Sequence, residues 1–132
     1  MKKDLVILTL VLLLAACAHG KTENFPADVD TADAAEIIII RNNNLFGWGF
    51  SLDVTVDEIV IARLRSGEHI SFWVEPGFHT VGISKKRATV PCVQGQKYYF
   101  LISVQYTDFG FEIERISNPK GEHWISKTKP VE

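Results

Sequence analysis

This sequence lacks a large net charge of either sign. It has 14 lysine and arginine residues and 16 aspartate and glutamate residues, which give a formal net charge of −2. A chain without a basic surplus lacks the electrostatic footprint of a nucleic-acid-binding protein. Motifs of common active sites are also missing: there is no Gly-x-Ser-x-Gly elbow and no glycine-rich phosphate loop, and the four histidines lack the spacing of metal ligands. The sequence therefore predicts a protein that is not an enzyme, with no metal, no cofactor and no nucleic-acid partner.

Long apolar runs are missing too. The apolar stretch over residues 5–16 has twelve residues, whereas a helix that spans a bilayer needs about 20. This stretch follows two lysines and ends in small residues, which is the pattern of a secretory signal peptide. The letters LAAC at 14–17 resemble a bacterial lipobox. We therefore expect residues 1–16 to be a lipoprotein signal peptide that is cleaved before Cys17.

Cysteine is scarce, with Cys17 and Cys92 as its two occurrences. Lipidation uses the sulfur of Cys17, and two or more acyl chains, such as palmitate, form a stable membrane anchor at roughly 0.8 kcal/mol per buried methylene. Cys92 lies in the apolar stretch ATVPCV and is predicted to be a small buried hydrophobe. Ala18, where an aspartate signals retention in the inner membrane, favours the outer membrane. The predicted location is the bacterial envelope, lipid-anchored and facing the periplasm.

Residues 17–34 are predicted to be the lipidated cysteine and a flexible tether. The segment is polar and mostly acidic, so it cannot bury enough apolar surface to offset its ordering entropy. A flexible tether of about 17 residues reaches roughly 20–25 Å by random-coil scaling. We therefore expect the folded domain, residues 35–132, to stay near the membrane rather than to lie on it.

An alternation of apolar and polar residues with period two runs through the domain, as in SLDVTVD, HISFWV, KYYFLISVQ and FEIERI. The run EIIII is apolar on both faces, which indicates a strand that is covered on both sides. Turn signals separate these runs, and Pro91 predicts an edge strand or a bulge. The pattern predicts an all-β protein: a single antiparallel β-sandwich or small barrel of about seven to eight strands. For residues 118–132, a last strand and a short helix both stay open.

Several short motifs follow one another through the domain. They are Val-Asp at 56–57, a turn at Gly67, PGFHT at 76–80 and GQKYYF at 95–100. Over roughly residues 35–117 this order resembles a family of bacterial lipoprotein domains catalogued as domain of unknown function 2846. The resemblance implies an all-β lipoprotein domain, and it implies no catalytic activity.

An aromatic segment, LFGWGF, is the most unusual stretch of the domain. Phe46, Trp48 and Phe50 are separated by glycines, so an extended segment would project all three to one side. One interpretation is a platform for a sugar ring, an acyl chain or a partner protein, and the other is a plug for one end of the sandwich.

Trp73 is out of phase with the core residues of its strand and is predicted to face outward. His79, at the start of the strand after the Pro-Gly turn, is expected to hydrogen-bond to backbone groups and hold that turn.

Phe46, Trp48, Phe50 and Trp73 are therefore the predicted binding surface, and Cys17 is the predicted lipidation site. Two functions follow as expectations. The first is a membrane-anchored envelope lipoprotein whose non-catalytic β-domain binds or scaffolds a protein partner. The second is a module that binds glycan or peptidoglycan.

Overall fold

The computed structural model describes Lys21–Thr22 and residues 29–132, so the predicted signal peptide and Cys17 lie outside the described residues. The described part of the chain forms ten strands and one helix. These elements are β1 (Lys21–Thr22), β2 (Ala35–Arg41), β3 (Leu52–Val56), β4 (Ile59–Leu64), β5 (Glu68–Val74), β6 (Gly77–Ile83), β7 (Lys86–Cys92), β8 (Lys97–Gln105), β9 (Gly110–Ile116), α1 (Asn118–Ile125) and β10 (Lys129–Pro130).

Two five-stranded sheets pack face to face, in the orders β1-β4-β3-β6-β7 and β10-β5-β2-β8-β9. The predicted all-β sandwich is confirmed, and it is not a closed barrel. Eight of the described strands have five or more residues, which agrees with the predicted number. The strand β7, which contains Pro91, lies at a sheet edge as predicted.

Strand direction differs from the antiparallel expectation at two pairs. The strand β2 runs parallel to β8, and β10 runs parallel to β5. Alternation of apolar and polar residues reports which face a side chain occupies and carries no information about direction. Between β2 and β8 the chain crosses to the other sheet and back twice, through β3 and β4 and then through β6 and β7.

The core between the sheets is built from the inward-facing residues of each strand. Ile37 and Ile39 of β2, Phe72 of β5 and Phe100 of β8 meet Val54 and the other inward-facing residues of the opposite sheet. Each fully buried aliphatic or aromatic side chain of this kind stabilises the fold by about 1.5–3 kcal/mol.

A second, smaller core lies on the outer face of the β2 sheet, under α1. It contains Ile38, Ile40, Tyr99, Leu101 and Ile116, with Trp124 and Ile125 of the helix packed against them. The prediction that EIIII is covered on both sides is therefore confirmed. The open question about residues 118–132 is answered by a helix, followed by the two residues of β10, which pair with β5 at Glu68 and His69.

Contact between α1 and Tyr99 is close. A Cβ atom added at Gly121 would lie 2.2 Å from two atoms of the Tyr99 ring. The Tyr99 hydroxyl donates a hydrogen bond to the carboxylate of Glu122. Burial, together with this carboxylate, raises the pKa of Tyr99 to about 12.

The predicted tether contacts the domain at two places. Backbone pairing joins Lys21 and Thr22 of β1 to Arg63 and Ala62 of β4. Further along, a turn over residues 30–33 is held by the side chain of Gln94, and Ala34 is fully buried. The structure thus differs from the expectation of a tether that is free along its whole length.

We predict that Gly121→Ala destabilises the protein by about 2 kcal/mol, because the added methyl group overlaps the Tyr99 ring. In an uncrowded helix the same change stabilises by about 1 kcal/mol, so the sign tests the packing. Urea denaturation measures the effect. The control is Lys120→Ala on the exposed side of α1, and an equal or stabilising effect of Gly121→Ala would contradict the close contact.

Candidate functional site

Arg41 at the end of β2 organises one end of the sandwich. Its side chain is buried, with 2% of its surface exposed. One guanidinium nitrogen donates to the carbonyl oxygens of Phe50 at 2.7 Å and Leu64 at 2.8 Å, and another donates to that of Gly47 at 2.8 Å. Burial lowers the pKa of Arg41 to about 10, and the negative charge of Glu68 partly offsets this effect.

The segment that carries Phe46, Trp48 and Phe50 is curled and not extended, in contrast to the sequence-based interpretation. Its amides close two successive turns, from Trp48 to the Leu45 carbonyl at 3.2 Å and from Phe50 to the Gly47 carbonyl at 3.0 Å. Gly47 has a φ of +82°, which a residue with a side chain rarely adopts. The segment curls because its carbonyl groups turn inward to Arg41.

Exposed apolar side chains from two loops gather at this end of the sandwich. We call this surface the aromatic end, and it consists of Leu45, Phe46, Trp48, Phe50, Tyr106 and Phe109. The Phe46 and Phe109 ring centroids lie 5.6 Å apart. The side-chain amide nitrogen of Asn44 donates a hydrogen bond to the Tyr106 hydroxyl at 2.8 Å. The exposed fractions reach 71% for Trp48 and 94% for Leu45. Such a concentration of exposed large apolar residues is typical of a contact surface.

Sequence reasoning missed Leu45, Tyr106 and Phe109. The turn signal TDFG at 107–110, between the runs KYYFLISVQ and FEIERI, predicts a loop, but nothing in it indicates which other loop lies beside it. The register supplies that information, because Arg41 lies opposite Ile102 in the parallel β2–β8 pair. The loops after these two strands therefore leave the sheet at the same end.

Trp73 does not join the other three predicted surface residues. It lies opposite Glu36 in the β2–β5 pair, whereas the aromatic end begins after Arg41. Five residues of strand separate these positions, which corresponds to about 16 Å. Trp73 does face outward as predicted, with 38% of its surface exposed. The four residues thus form two separate surfaces, a division that alternation along single strands does not report.

A sheet edge that is open among the described residues lies beside Trp73. The strand β10 pairs with β5 at Glu68 and His69, and none of the described strands pairs with this edge from Ile70 to Val74. The side chains of Ser71 and Trp73 point outward there, alternating with buried core residues. Unpaired backbone groups on such an edge are a template for another extended chain.

His79 has the structural role that the sequence predicted. Its Nε2 donates to the Glu75 carbonyl oxygen at 2.7 Å, which holds the Pro-Gly turn. Its Nδ1 lies 2.7 Å from a carboxylate oxygen of Asp57, whose other oxygen accepts from the Thr80 amide at 2.9 Å. The histidine thereby ties two turns together at the end of the sandwich opposite the aromatic end.

Cys92 is buried and carries a free thiol. Burial raises the pKa of this thiol to about 11, so the reactive thiolate is scarce at neutral pH. The predicted role as a small buried hydrophobe is confirmed.

A shallow polar groove begins next to the aromatic end. It has a volume of about 380 Å³ and is lined by Ser51, Leu52, Asp53, Arg63 and Ser84. Asp53 and Arg63 form an ion pair at 2.8 Å across it.

Among the described residues, no three His, Cys, Asp or Glu side chains are grouped so as to hold a metal ion. In the same part of the chain, no helix is long and apolar enough to cross a membrane.

Comparison with known proteins gives little. No protein-family model and no curated protein match the chain, so the resemblance to domain of unknown function 2846 stays a prediction. Among solved structures, the chain is similar to the N-terminal domain of AlgF from P. aeruginosa, with a TM-score of 0.46 and 14% identity. This likeness covers 64% of the present chain and 95% of that domain. It is too weak to carry an argument about function.

We predict that Arg41→Lys destabilises the protein by about 1–3 kcal/mol and loosens the aromatic end. A lysine keeps the charge but lacks the planar fork, so at least one buried carbonyl group loses its partner. Urea denaturation measures the first effect, and faster hydrogen exchange at the amides of Trp48 and Phe50 measures the second.

The matched control for this test is Arg115→Lys, which removes a guanidinium that lies 4.8 Å from the Tyr98 ring centroid. We expect the control to leave exchange at Trp48 and Phe50 unchanged. Wild-type exchange rates at these two amides in Arg41→Lys would show that the loop does not depend on Arg41.

Proposed function

We propose that this chain is a lipid-anchored, non-catalytic protein of the bacterial envelope whose β-sandwich binds a protein partner. The lipobox at 14–17 and the short apolar stretch before it support the anchor. The observation that carries partner binding is the edge of β5 beside Trp73, with which none of the described strands pairs from Ile70 to Val74. An exposed edge of this kind invites unwanted association unless something covers it, and a partner strand is one such cover.

Partner binding at β5 follows the mode in which an extended peptide adds a strand to a sheet. The backbone groups of the edge supply affinity, and the outward side chains supply specificity. Here the outward side chains are Ser71 and Trp73, beside Glu36, which accepts a hydrogen bond from Ser71. Further from the edge, Lys97 of β8 lies 3.5 Å from the same carboxylate. The outward side chains at the edge itself are thus one small polar residue and one large aromatic residue.

For the anchor, we predict that the protein purified from cells competent for lipoprotein processing lacks residues 1–16 and carries acyl chains on Cys17. Intact-mass spectrometry measures both features. The Cys17→Ser variant should carry no acyl chains and should retain residues 1–16. The Cys92→Ser variant should be acylated and cleaved like wild type, because the Cys92 thiol is buried in the domain. A wild-type chain that retains Met1 and lacks any acyl mass would contradict the anchor.

For partner binding, we predict that a photoreactive residue at position 71 cross-links one specific envelope protein in living cells. Trp73→Lys should abolish the adduct, because a charge on an open edge opposes strand addition. The matched control is Phe78→Lys, which changes an exposed aromatic residue of the other sheet and should leave the adduct intact. An adduct that both variants lose equally, or that neither loses, would argue against the β5 edge.

A further inference from the structure

We infer that the aromatic end rests on the surface of the lipid bilayer in which the acyl chains of Cys17 are inserted. This inference rests on the anchor of the proposed function and adds what occupies the aromatic end. It differs from the sequence-based expectation that the domain stays near the membrane on a flexible tether rather than lying on it. Three features support it: the point at which the chain enters the sandwich, the reach of Cys17, and the chemistry of the aromatic end.

The chain enters the sandwich from the aromatic end. Lys21 of β1 lies opposite Arg63 of β4, and Thr22 lies opposite Ala62, in an antiparallel pair. The strand β4 runs toward Leu64, whose carbonyl group accepts a hydrogen bond from Arg41. Antiparallel pairing therefore directs the amino-terminal side of Lys21 toward the end where Arg41 holds the aromatic loop.

The distance from the anchor to this point is short. Three residues separate Cys17 from Lys21, so four peptide units join them. A fully extended chain of this length spans at most about 14 Å. The bilayer surface that holds the acyl chains of Cys17 consequently lies within that distance of the strand position beside Arg63. Trp73 lies toward the other end of the sandwich, about 16 Å along the strands from Arg41.

The chemistry of the aromatic end suits the interface of a bilayer. Tryptophan and tyrosine are enriched at the level of the lipid headgroups, where their amphipathic rings have both apolar and polar surroundings. The aromatic end offers Trp48 and Tyr106 together with the apolar side chains of Leu45, Phe50 and Phe109, all largely exposed. Because Arg41 fixes the curled loop, little loop entropy is lost on contact.

Two cations near the aromatic end are held in ion pairs. Lys86 binds Glu112 at 2.8 Å, and Arg63 binds Asp53 at 2.8 Å. A surface with paired charges gains little from anionic headgroups, so we expect the contact to be apolar and insensitive to salt. This separates it from a polybasic membrane contact, which salt weakens.

A glycan is the other class of ligand that this end of the molecule suits, since the polar groove over Ser51 and Asp53 lies next to Phe50. The entry point of the chain and the short reach of Cys17 favour the bilayer. Binding to purified cell-wall sacculi is therefore the competing outcome of the experiment.

The experiment measures tryptophan quenching in the lipidated full-length protein. The protein is placed in phosphatidylcholine vesicles, with and without bromine atoms on the acyl chains. The contribution of Trp48 is the emission of wild type minus the emission of Trp48→Phe. We expect brominated lipid to reduce this contribution about twofold, since Trp48 contacts the lipid. Trp73→Phe is the matched control and should leave this quenching unchanged. Raising the salt concentration to about 1 M should not reduce it.

Three outcomes contradict the inference or its basis in distinguishable ways. If mass spectrometry confirms the acyl chains and bromine quenches wild type and Trp48→Phe equally, the bilayer contact is overturned and the anchor stays intact. If wild type sediments with sacculi and Trp48→Phe does not, and vesicles give no quenching, the aromatic end binds glycan and not the bilayer. A mass without acyl chains overturns the anchor itself. Thermal melting of Trp48→Phe at the wild-type temperature establishes that the variant folds.

Discussion

The guanidinium group of Arg41 is the interaction on which the aromatic end depends. A buried cation is tolerated only when acceptors replace the water it has lost. Here the acceptors are two backbone carbonyl groups of the loop that follows β2, those of Gly47 and Phe50, and that of Leu64 at the end of β4. The Phe111 ring covers the guanidinium at 5.0 Å. These partners leave the loop after β2 one arrangement, in which apolar side chains point to solvent. The loop thus resembles a fixed contact surface more than a mobile connection.

The position of β2 in its sheet explains why Arg41 can have this effect. The strand is central, with β5 on one side and β8 on the other, a second sheet on one face and α1 on the other. A side chain at the end of such a strand is surrounded on several sides, which is unusual for a residue beside a loop. The parallel pair β2–β8 then places the loop of residues 106–109 next to the curled segment, so that Phe109 packs on Phe46.

Local patterns predicted what depends on local chemistry. Period-two alternation predicted the sandwich, and the run EIIII predicted a strand covered on both faces, because each residue's face follows from its neighbours. The helix α1 could not be predicted from propensity, since Gly121 disfavours a helix and only the fit against Tyr99 explains it. Separation of Trp73 from the other aromatic residues depends on register between strands, and the partners of Arg41 depend on tertiary contacts. No single stretch of sequence encodes either.

The two proposals, partner binding at β5 and bilayer contact at the aromatic end, are compatible with a single orientation of the domain. A two-residue strand such as β1 is marginal by itself, so its pairing with β4 alone would hold the domain at a fixed angle only weakly. In the proposed orientation, contact between the aromatic end and the bilayer keeps Lys21 close to the membrane and favours that pairing. Conversely, pairing of β1 shortens the free chain after Cys17 and raises the local concentration of the aromatic end at the bilayer. The two contacts reinforce each other, and together they direct the open edge of β5 beside Trp73 away from the lipid, where a partner has access to it.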